Sequence, residues 1–434
     1  MASWVNGLFR EKKSAALLLP AALPAAYLAF LAYKRYKWYR WGYEPGAISG
    51  YFAKLLEKHS KRRRKEQPIR VYMDGCFDMF HYGHANAIRQ ARACGDYLVL
   101  GVVPDEEVIM AKGPPVMNED ERLCTVEAVR WVDEVMPGVP YEITEEFMTE
   151  LFEKHKIDFI VHGDDPCLLP DGTDAYAAAK RVNRFVTIKR TEGVSSTDIV
   201  GRMLMCTRAS SCTSPNVSEQ KTQLRTFSQG LEALEEGGDE ATSVSHFLPT
   251  SRRFVQFSSG KKPAPGDKIV YLDGAFDMFH AGHVEILKQA KSLGDFLLVG
   301  IHRDEVVTAH RGPHQPILGL HERSLSVLAC KYADEVIIGA PFVVTKDLLI
   351  TFNINLVVHG TCGEKNFRSK EEGDPYAVPK DLGLFQTVES PRLLTTGDII
   401  KRVVDNRTAY EARNEKKNKS QANYYEQKSF VEEL

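Results

Sequence analysis

Tyr72 to Ile88 reads YMDGCFDMFHYGHANAI, and Tyr271 to Leu287 reads YLDGAFDMFHAGHVEIL. These two stretches set a register for the rest of the chain: Asp74 answers Asp273, His81 answers His280 and His84 answers His283, each 199 residues apart. VHGDD from Val161 and VHGTC from Val358 follow 197 apart, and Asp198 with Asp398 closes the correspondence at 200. Spacing kept over such a length marks a duplicated domain, not a solenoid of short repeats. The chain therefore divides into an N-terminal segment (1–66), a first domain (67–207), a connecting segment (208–266), a second domain (267–405) and a polar tail (406–434).

Ile69 to Gly75 (IRVYMDG) reads as a buried strand, followed by a loop and a helix from about Gly83 to Cys94 that Gly95 stops. YLVLGVV is the next strand, and Asn118 with Glu121 forms a capping-box pattern opening a helix to about Trp131. IDFIVHG and FVTIKR supply two further strands. Apolar strands alternating with helices predict an α/β fold: two tandem Rossmann-like, doubly wound parallel sheets that bind ligands at the carboxyl ends of their strands. Every motif of interest falls at such an end.

With 434 residues, 43% of them apolar and 26% charged, the chain is ordinary globular material, and a net charge of -2 gives no bulk basicity for nucleic acid. Its eight cysteines are scattered without CxxC pairs, so neither a disulfide framework nor a structural metal is expected. Ser14 to Tyr33 carries no charge over 20 residues and is bracketed by basic residues, which predicts a transmembrane helix. The basic excess after it, including KRRRK at Lys61 to Lys65, keeps the bulk of the chain on the cytosolic side near anionic lipid. The outer mitochondrial membrane is favoured, with the endoplasmic reticulum as the alternative. Residues 208–266 read mostly as linker, and the tail shows helical spacing in places; neither is expected to carry chemistry.

His81 and His84 flank Gly83 where a strand gives way to a helix, so two imidazoles and free helix N–H groups converge on one spot suited to phosphate. Gly83 lets phosphate approach the backbone, Gly75 and Cys76 bring the strand end close, and Asp78 orients a histidine or caps the loop.

DGxFD with HxGH resembles the signature of the cytidylyltransferase branch of the HxGH nucleotidylyltransferases, and RTEGVSSTDI from Arg190 to Ile199 resembles that branch's second signature. The resemblance covers both repeats, and the N-terminal anchor is similar to that of plant-type members. It implies attack by a phosphate oxygen of phosphoethanolamine on the α-phosphorus of CTP, with pyrophosphate leaving. His81, His84, Lys112 and Arg190 are then the catalytic set. Gly75, Cys76, Phe77, Asp78, Gly83, His162, Gly163, Asp164, Gly193, Ser195, Ser196 and Thr197 would bind CTP, and Asp165 and Tyr141 would bind phosphoethanolamine. Where choline enzymes read HDDIPY this chain reads HGDDPC, so Cys167 stands in place of an aromatic ring, which favours ethanolamine over a quaternary ammonium. Mg2+ is expected with CTP and no protein ligand set for it is visible; phosphocholine, glycerol 3-phosphate and a catalytically silent scaffold stay open as alternatives, as does a homodimer.

The second copy keeps its phosphate cradle but has drifted beyond it: Ser390 replaces Arg190, Leu393 replaces Gly193, and Thr361 and Cys362 replace both acids. A weaker nucleotide site is expected there. Its residues would be Ala275, Phe276, His280, Ala281, Gly282, His283, His359, Gly360, Thr361, Cys362, Thr395, Thr396, Gly397 and Asp398.

Overall fold

The structure is a computed structural model that describes residues 68–165, 167–169, 172–211, 249–362, 373–415, 417 and 433. The transmembrane helix expected over 14–33 and the basic run after it lie outside the described residues. Among the described residues no helix is long and apolar enough to cross a membrane.

The first domain runs β1 (Arg70–Gly75), α1 (Tyr82–Ala93), β2 (Tyr97–Val102), α2 (Asp105–Lys112), α3 (Glu119–Glu127), β3 (Glu134–Pro137), α4 (Glu145–Glu153), β4 (Phe159–Gly163), α5 (Ala177–Arg181), β5 (Phe185–Ile188) and α6 (Ser196–Ser211). After α7 (Pro249–Phe257) the second domain repeats the plan. It runs β6 (Ile269–Gly274), α8 (Ala281–Ser292), β7 (Phe296–His302), α9 (Asp304–Arg311), α10 (Leu320–Ala329), β8 (Glu335–Ala340), α11 (Lys346–Thr351), β9 (Ile354–Gly360), α12 (Ala377–Asp381), β10 (Phe385–Val388) and α13 (Thr396–Asp405). A last helix, α14, covers 407–415.

Each domain holds one five-stranded parallel sheet, ordered β3-β2-β1-β4-β5 and β8-β7-β6-β9-β10. The sheets are the two Rossmann-like units read from the repeat. Helices cover them because the central strands are apolar on both faces: Val71, Tyr72, Leu98, Val99 and Ile160 are fully buried. Strand order reverses between β1 and β4, and again between β6 and β9. The capping box at Asn118 forms as read, although α3 ends at Glu127, before Trp131.

The halves share one apolar cluster, in which Met79, Val116, Met117, Val200 and Met203 meet Met278, Ile317, Leu318, Ile399 and Val403. Two ion pairs lock it. Arg202 Nη1 and Nη2 donate to Glu322 at 2.8 and 3.2 Å, and Arg402 Nη1 and Nη2 donate to Glu121 at 2.7 and 2.8 Å. Glu121 also closes the capping box of its own helix with Asn118, and Glu322 accepts from the Gly319 amide at 2.8 Å at the start of its own, so each pair anchors to a fixed acceptor. Val129 and Cys330 form an antiparallel bridge between the halves. The Arg130 and Lys331 amides donate to Ala329 and Ala128, both at 2.8 Å. The contact pattern is that of a two-fold dimer made within one chain, the ion pairs and the amide pairing each having a counterpart about 200 residues on.

Part of the segment read as linker is structured. Helix α7 buries Phe257 completely, edge-on to Trp131 at 5.1 Å, and Ser259 Oγ donates to the Asp334 carbonyl at 2.8 Å. Because the halves share a core, neither is a self-contained test object, and the ion pairs should be probed in the whole chain. Arg202→Ala and Arg402→Ala should each lower the unfolding free energy by about 1–3 kcal/mol, because each strands a largely buried glutamate. Urea unfolding of the full chain measures it, and an unchanged midpoint would count against the seam.

Candidate active site

The first-domain motifs assemble at the carboxyl ends of β1 and β4, at the point where strand order reverses. After β1 the backbone turns sharply: Phe77 and Met79 both sit in the left-handed region, at φ 49 and 48. Such geometry costs a non-glycine residue roughly 1–2 kcal/mol. The Asp78 carboxylate holds the turn by accepting from the Val116 and Met117 amides at 3.1 and 2.9 Å, and Ser196 Oγ donates to the Asp78 carbonyl at 2.9 Å. Asp78 is thus a loop staple. Of the two roles read from sequence, orienting a histidine is overturned.

His81 caps α1: its Nδ1 accepts from the Gly83 amide at 3.1 Å, which puts the neutral ring's proton on Nε2. The ring stacks on His84 with centroids 3.9 Å apart, and Phe77 stands edge-on to His84 at 5.7 Å. A Cβ on Gly83 would lie 2.8 Å from Val194 Cγ1 and 2.9 Å from the His81 ring. Glycine is therefore required at the junction of the two signature motifs by packing as well as by ligand access. A Cβ on Gly75 would sit 3.1 Å from the Phe77 ring.

Opposite the histidines stand the cations. Arg190 Nη1 lies 3.7 Å from Asp165 Oδ2, and the Arg190 amide donates to Asp164 Oδ1 at 2.9 Å. Asp164 therefore fixes the arginine's backbone, while Asp165 faces its guanidinium across the cavity. Lys112 Nζ, at the end of α2, sits 3.7 Å from Cys76 Sγ and 5.1 Å from the centre of the Tyr141 ring. Burial works against its charge, but Cys76, Tyr141, Cys167 and Asp165 outweigh it and hold Lys112 protonated. His162 bonds through Nδ1 to the Gly163 carbonyl at 3.1 Å, which leaves Nε2 as the acceptor. The walls enclose about 180 Å³.

Several expected ligands have other duties. Tyr141 is buried beneath Lys112 and accepts from Cys167 Sγ at 3.2 Å; like Asp164, Gly193 and Thr197 it lies outside the cavity wall. Ser195 Oγ caps α6 by accepting from the Asp198 amide at 3.1 Å and donates to the Asp198 carboxylate at 2.6 Å, and Ser196 Oγ donates to the Asp78 carbonyl. Both serines line the cavity with their hydroxyls engaged within the protein, at the N-terminal end of α6. The tail, expected to carry no chemistry, brings Arg413 and Lys417 into the wall. Their signal was a single helix face: Tyr410, Arg413 and Lys417 follow at spacings of three and four.

In the second domain the geometry of the cradle is kept. Asp277 accepts from the Ile317 and Leu318 amides at 2.7 and 2.9 Å, and His280 stacks on His283 at 3.8 Å. Thr361 Oγ1 takes over Asp164's duty by accepting from the Ser390 amide at 2.9 Å, and Ser390 Oγ accepts from the Cys362 amide at 2.9 Å. Thr395 caps α13 with Asp398, and Thr396 Oγ1 donates to the Asp277 carbonyl at 3.0 Å, while both threonines line the cavity. Ala281, Gly397 and Asp398 lie outside the wall of this cavity, whereas Ala275, Phe276, Gly282, His359 and Gly360 line it. It measures about 510 Å³ and includes Arg311, the register partner of Lys112, which the motif search passed over.

The environment tunes both kinds of group. Burial, then the charge of Lys417 and Lys112, pushes His84 down to about 3, and burial followed by His84 and Arg190 depresses His81. Burial lifts Asp74 to about 7 against the hydrogen bond from Tyr176 Oη at 2.7 Å. The signs oppose. His84 contributes stability that is present above pH 6.5 and is lost as pH falls toward 3, whereas Asp74 contributes stability that is lost as pH rises toward 7. His84→Asn compared with wild type isolates the first: the slope of unfolding free energy between pH 6.5 and 4 should fall by about 1.4 kcal/mol per pH unit. Parallel slopes in urea titrations would show that His84 is charged in the fold.

The chain matches the cytidylyltransferase-like family twice, over residues 72–202 and 271–381. A relative from Arabidopsis thaliana named ethanolamine-phosphate cytidylyltransferase is 61% identical over 85% of this chain and 88% of its own length. Relatives of the same name from Dictyostelium discoideum and Mus musculus are 51% and 45% identical, over 83% and 80% of this chain and 98% and 89% of their own lengths. Each matched segment contains one stacked histidine pair and the central strands of one sheet, and relatives at this identity cover four fifths or more of the chain, so the chain belongs to the ethanolamine-phosphate cytidylyltransferases.

Proposed function

We propose that the first domain transfers CMP from CTP to phosphoethanolamine, giving CDP-ethanolamine and pyrophosphate by in-line attack without a covalent intermediate. The observation that carries this reading is the convergence of His81, His84, Lys112 and Arg190 on one small cavity at the sheet's switch point. A phosphate monoester with a second pKa of about 6 is already a nucleophile at neutral pH, so no general base is required. The neutral histidines act as N–H donors. His81 Nε2–H donates to charge building on the α-phosphate and bridging oxygen, and an anion there raises the affinity of both rings for a second proton. Lys112 and Arg190 hold the β- and γ-phosphates. Magnesium enters as part of the substrate, MgCTP, and no step is assigned to it.

Asp165 supports the choice of ethanolamine. Burial works against its charge, but His162, Arg190, Lys417 and Lys112 keep it ionised below its ordinary range, ready to accept N–H bonds from a primary ammonium. Cys167, on Tyr141, offers no ring face to a quaternary one. Glycerol 3-phosphate would bring no cation to Asp165.

In the second domain a nucleotide site without the Arg190–Asp165 pair serves structure or regulation. His84→Ala should lower CTP-dependent pyrophosphate release by about 10²–10³-fold with phosphoethanolamine as acceptor. His283→Ala should leave turnover standing, and phosphocholine should be a poor acceptor. Equal loss in both variants would place chemistry in both halves.

The uncharged run from Ser14 to Tyr33 supports anchoring to a membrane, with the domains on the cytosolic face; the outer mitochondrial membrane is favoured over the endoplasmic reticulum. Residues 1–66 fused to a fluorescent reporter should carry it into a carbonate-resistant membrane fraction, and a reporter left soluble would remove the anchor. A homodimer would have to use a face other than the Arg202–Glu322 seam, which is filled within the chain.

A further inference from the structure

After the second domain, helix α14 returns to the first. Tyr410 is buried, and its hydroxyl donates to the Pro115 carbonyl at 3.1 Å. Arg413 Nη1 donates to the Pro114 carbonyl at 2.9 Å and to the Asp78 staple at 3.3 Å, while Asn414 Nδ2 donates to the Thr197 carbonyl at 3.2 Å. These contacts fix α14 to both signature motifs of the first site and set Arg413 and Lys417 in its wall.

Five cations, Lys112, Lys189, Arg190, Arg413 and Lys417, then line a cavity with Asp165, with Asp74 lifted by burial to about 7, and with an Asp78 already engaged by two amides. Like charges brought together out of water repel, and the repulsion is relieved when a polyanion binds between them. Burial, with Lys112, Arg190 and Arg413, lowers the Lys417 ammonium to about 8 against the pull of Asp165. The cavity of the second domain, which no tail residue lines among the described residues, is about 510 Å³ against about 180 Å³ here.

We propose that Lys417, just beyond the described end of α14 and set in place by the anchoring of Arg413, is a ligand for the β- and γ-phosphates of CTP in the first-domain site, and that this stretch closes the pyrophosphate end of that site. The proposal rests on the function given above and adds to it. The drifted second domain then has a mechanical task, which is to seat the tail over its neighbour's active site.

The test uses the full chain with Lys417→Met and Lys417→Arg, and reads the dissociation constants of CTP and CMP by calorimetry together with inhibition by pyrophosphate. Lys417→Met should weaken CTP and pyrophosphate by about tenfold, leave CMP within about twofold, and be largely rescued by Lys417→Arg. The melting temperature of the ligand-free protein should be unchanged or raised, because a repelled cation has been removed. Unchanged CTP affinity would overturn the assignment. So would an equal loss for CTP and CMP, a lowered melting temperature with no nucleotide selectivity, or a rise in KM confined to phosphoethanolamine. A wild-type protein that binds CTP but turns over no phosphoethanolamine would defeat the proposed reaction while leaving the nucleotide comparison to decide the role of Lys417.

Discussion

One buried carboxylate ties this molecule together. Asp78 accepts from the amides of Val116 and Met117, its carbonyl accepts from Ser196, and Arg413 reaches it from the tail. The histidine loop, the chain leading into α3, the second signature and the C-terminal helix therefore converge on one residue. The two left-handed residues beside it keep their conformation because these bonds over-determine the turn. Asp277 repeats the arrangement with Ile317, Leu318 and Thr396. The cradle can thus outlast changes to the groups that would react in it.

The second domain shows how such drift proceeds. Replacing Asp164 by Thr361 keeps an oxygen where the residue-390 amide needs an acceptor, so the loop after β9 holds its shape. Replacing Arg190 and Asp165 by Ser390 and Cys362 exchanges an ion pair facing the cavity for a short hydrogen bond within the wall. Backbone geometry is conserved and charge is lost. The result is a roomier, less cationic chamber built on the same frame.

What the sequence made legible follows from the range of each signal. Strands such as β1 and β4, the Asn118 capping box and the HxGH helix start are written in adjacent residues, and the fold came through largely as read. The repeat made the two sheets legible as well. The Arg202–Glu322 and Arg402–Glu121 pairs link residues 120 and 281 positions apart, which no local pattern encodes. Ser195, Ser196, Thr395 and Thr396 look like phosphate donors in a motif, and in the fold each hydroxyl bonds within the protein at a cavity wall, a partnership no local pattern announces. Arg413 and Lys417 were hidden by composition: in a polar, charged tail a cationic helix face reads as a solvated one.

The internal two-fold seam has an evolutionary corollary. Two separate, identical subunits joined through this face would carry two equivalent C-terminal helices, and every substitution would appear in both sites at once. Joining the copies in a single polypeptide removed that constraint. A single helix, α14, follows the pair, and its contacts with the Asp78 loop set the two chambers apart. The neighbouring copy, its charges altered, still supplies the counterface of the shared core.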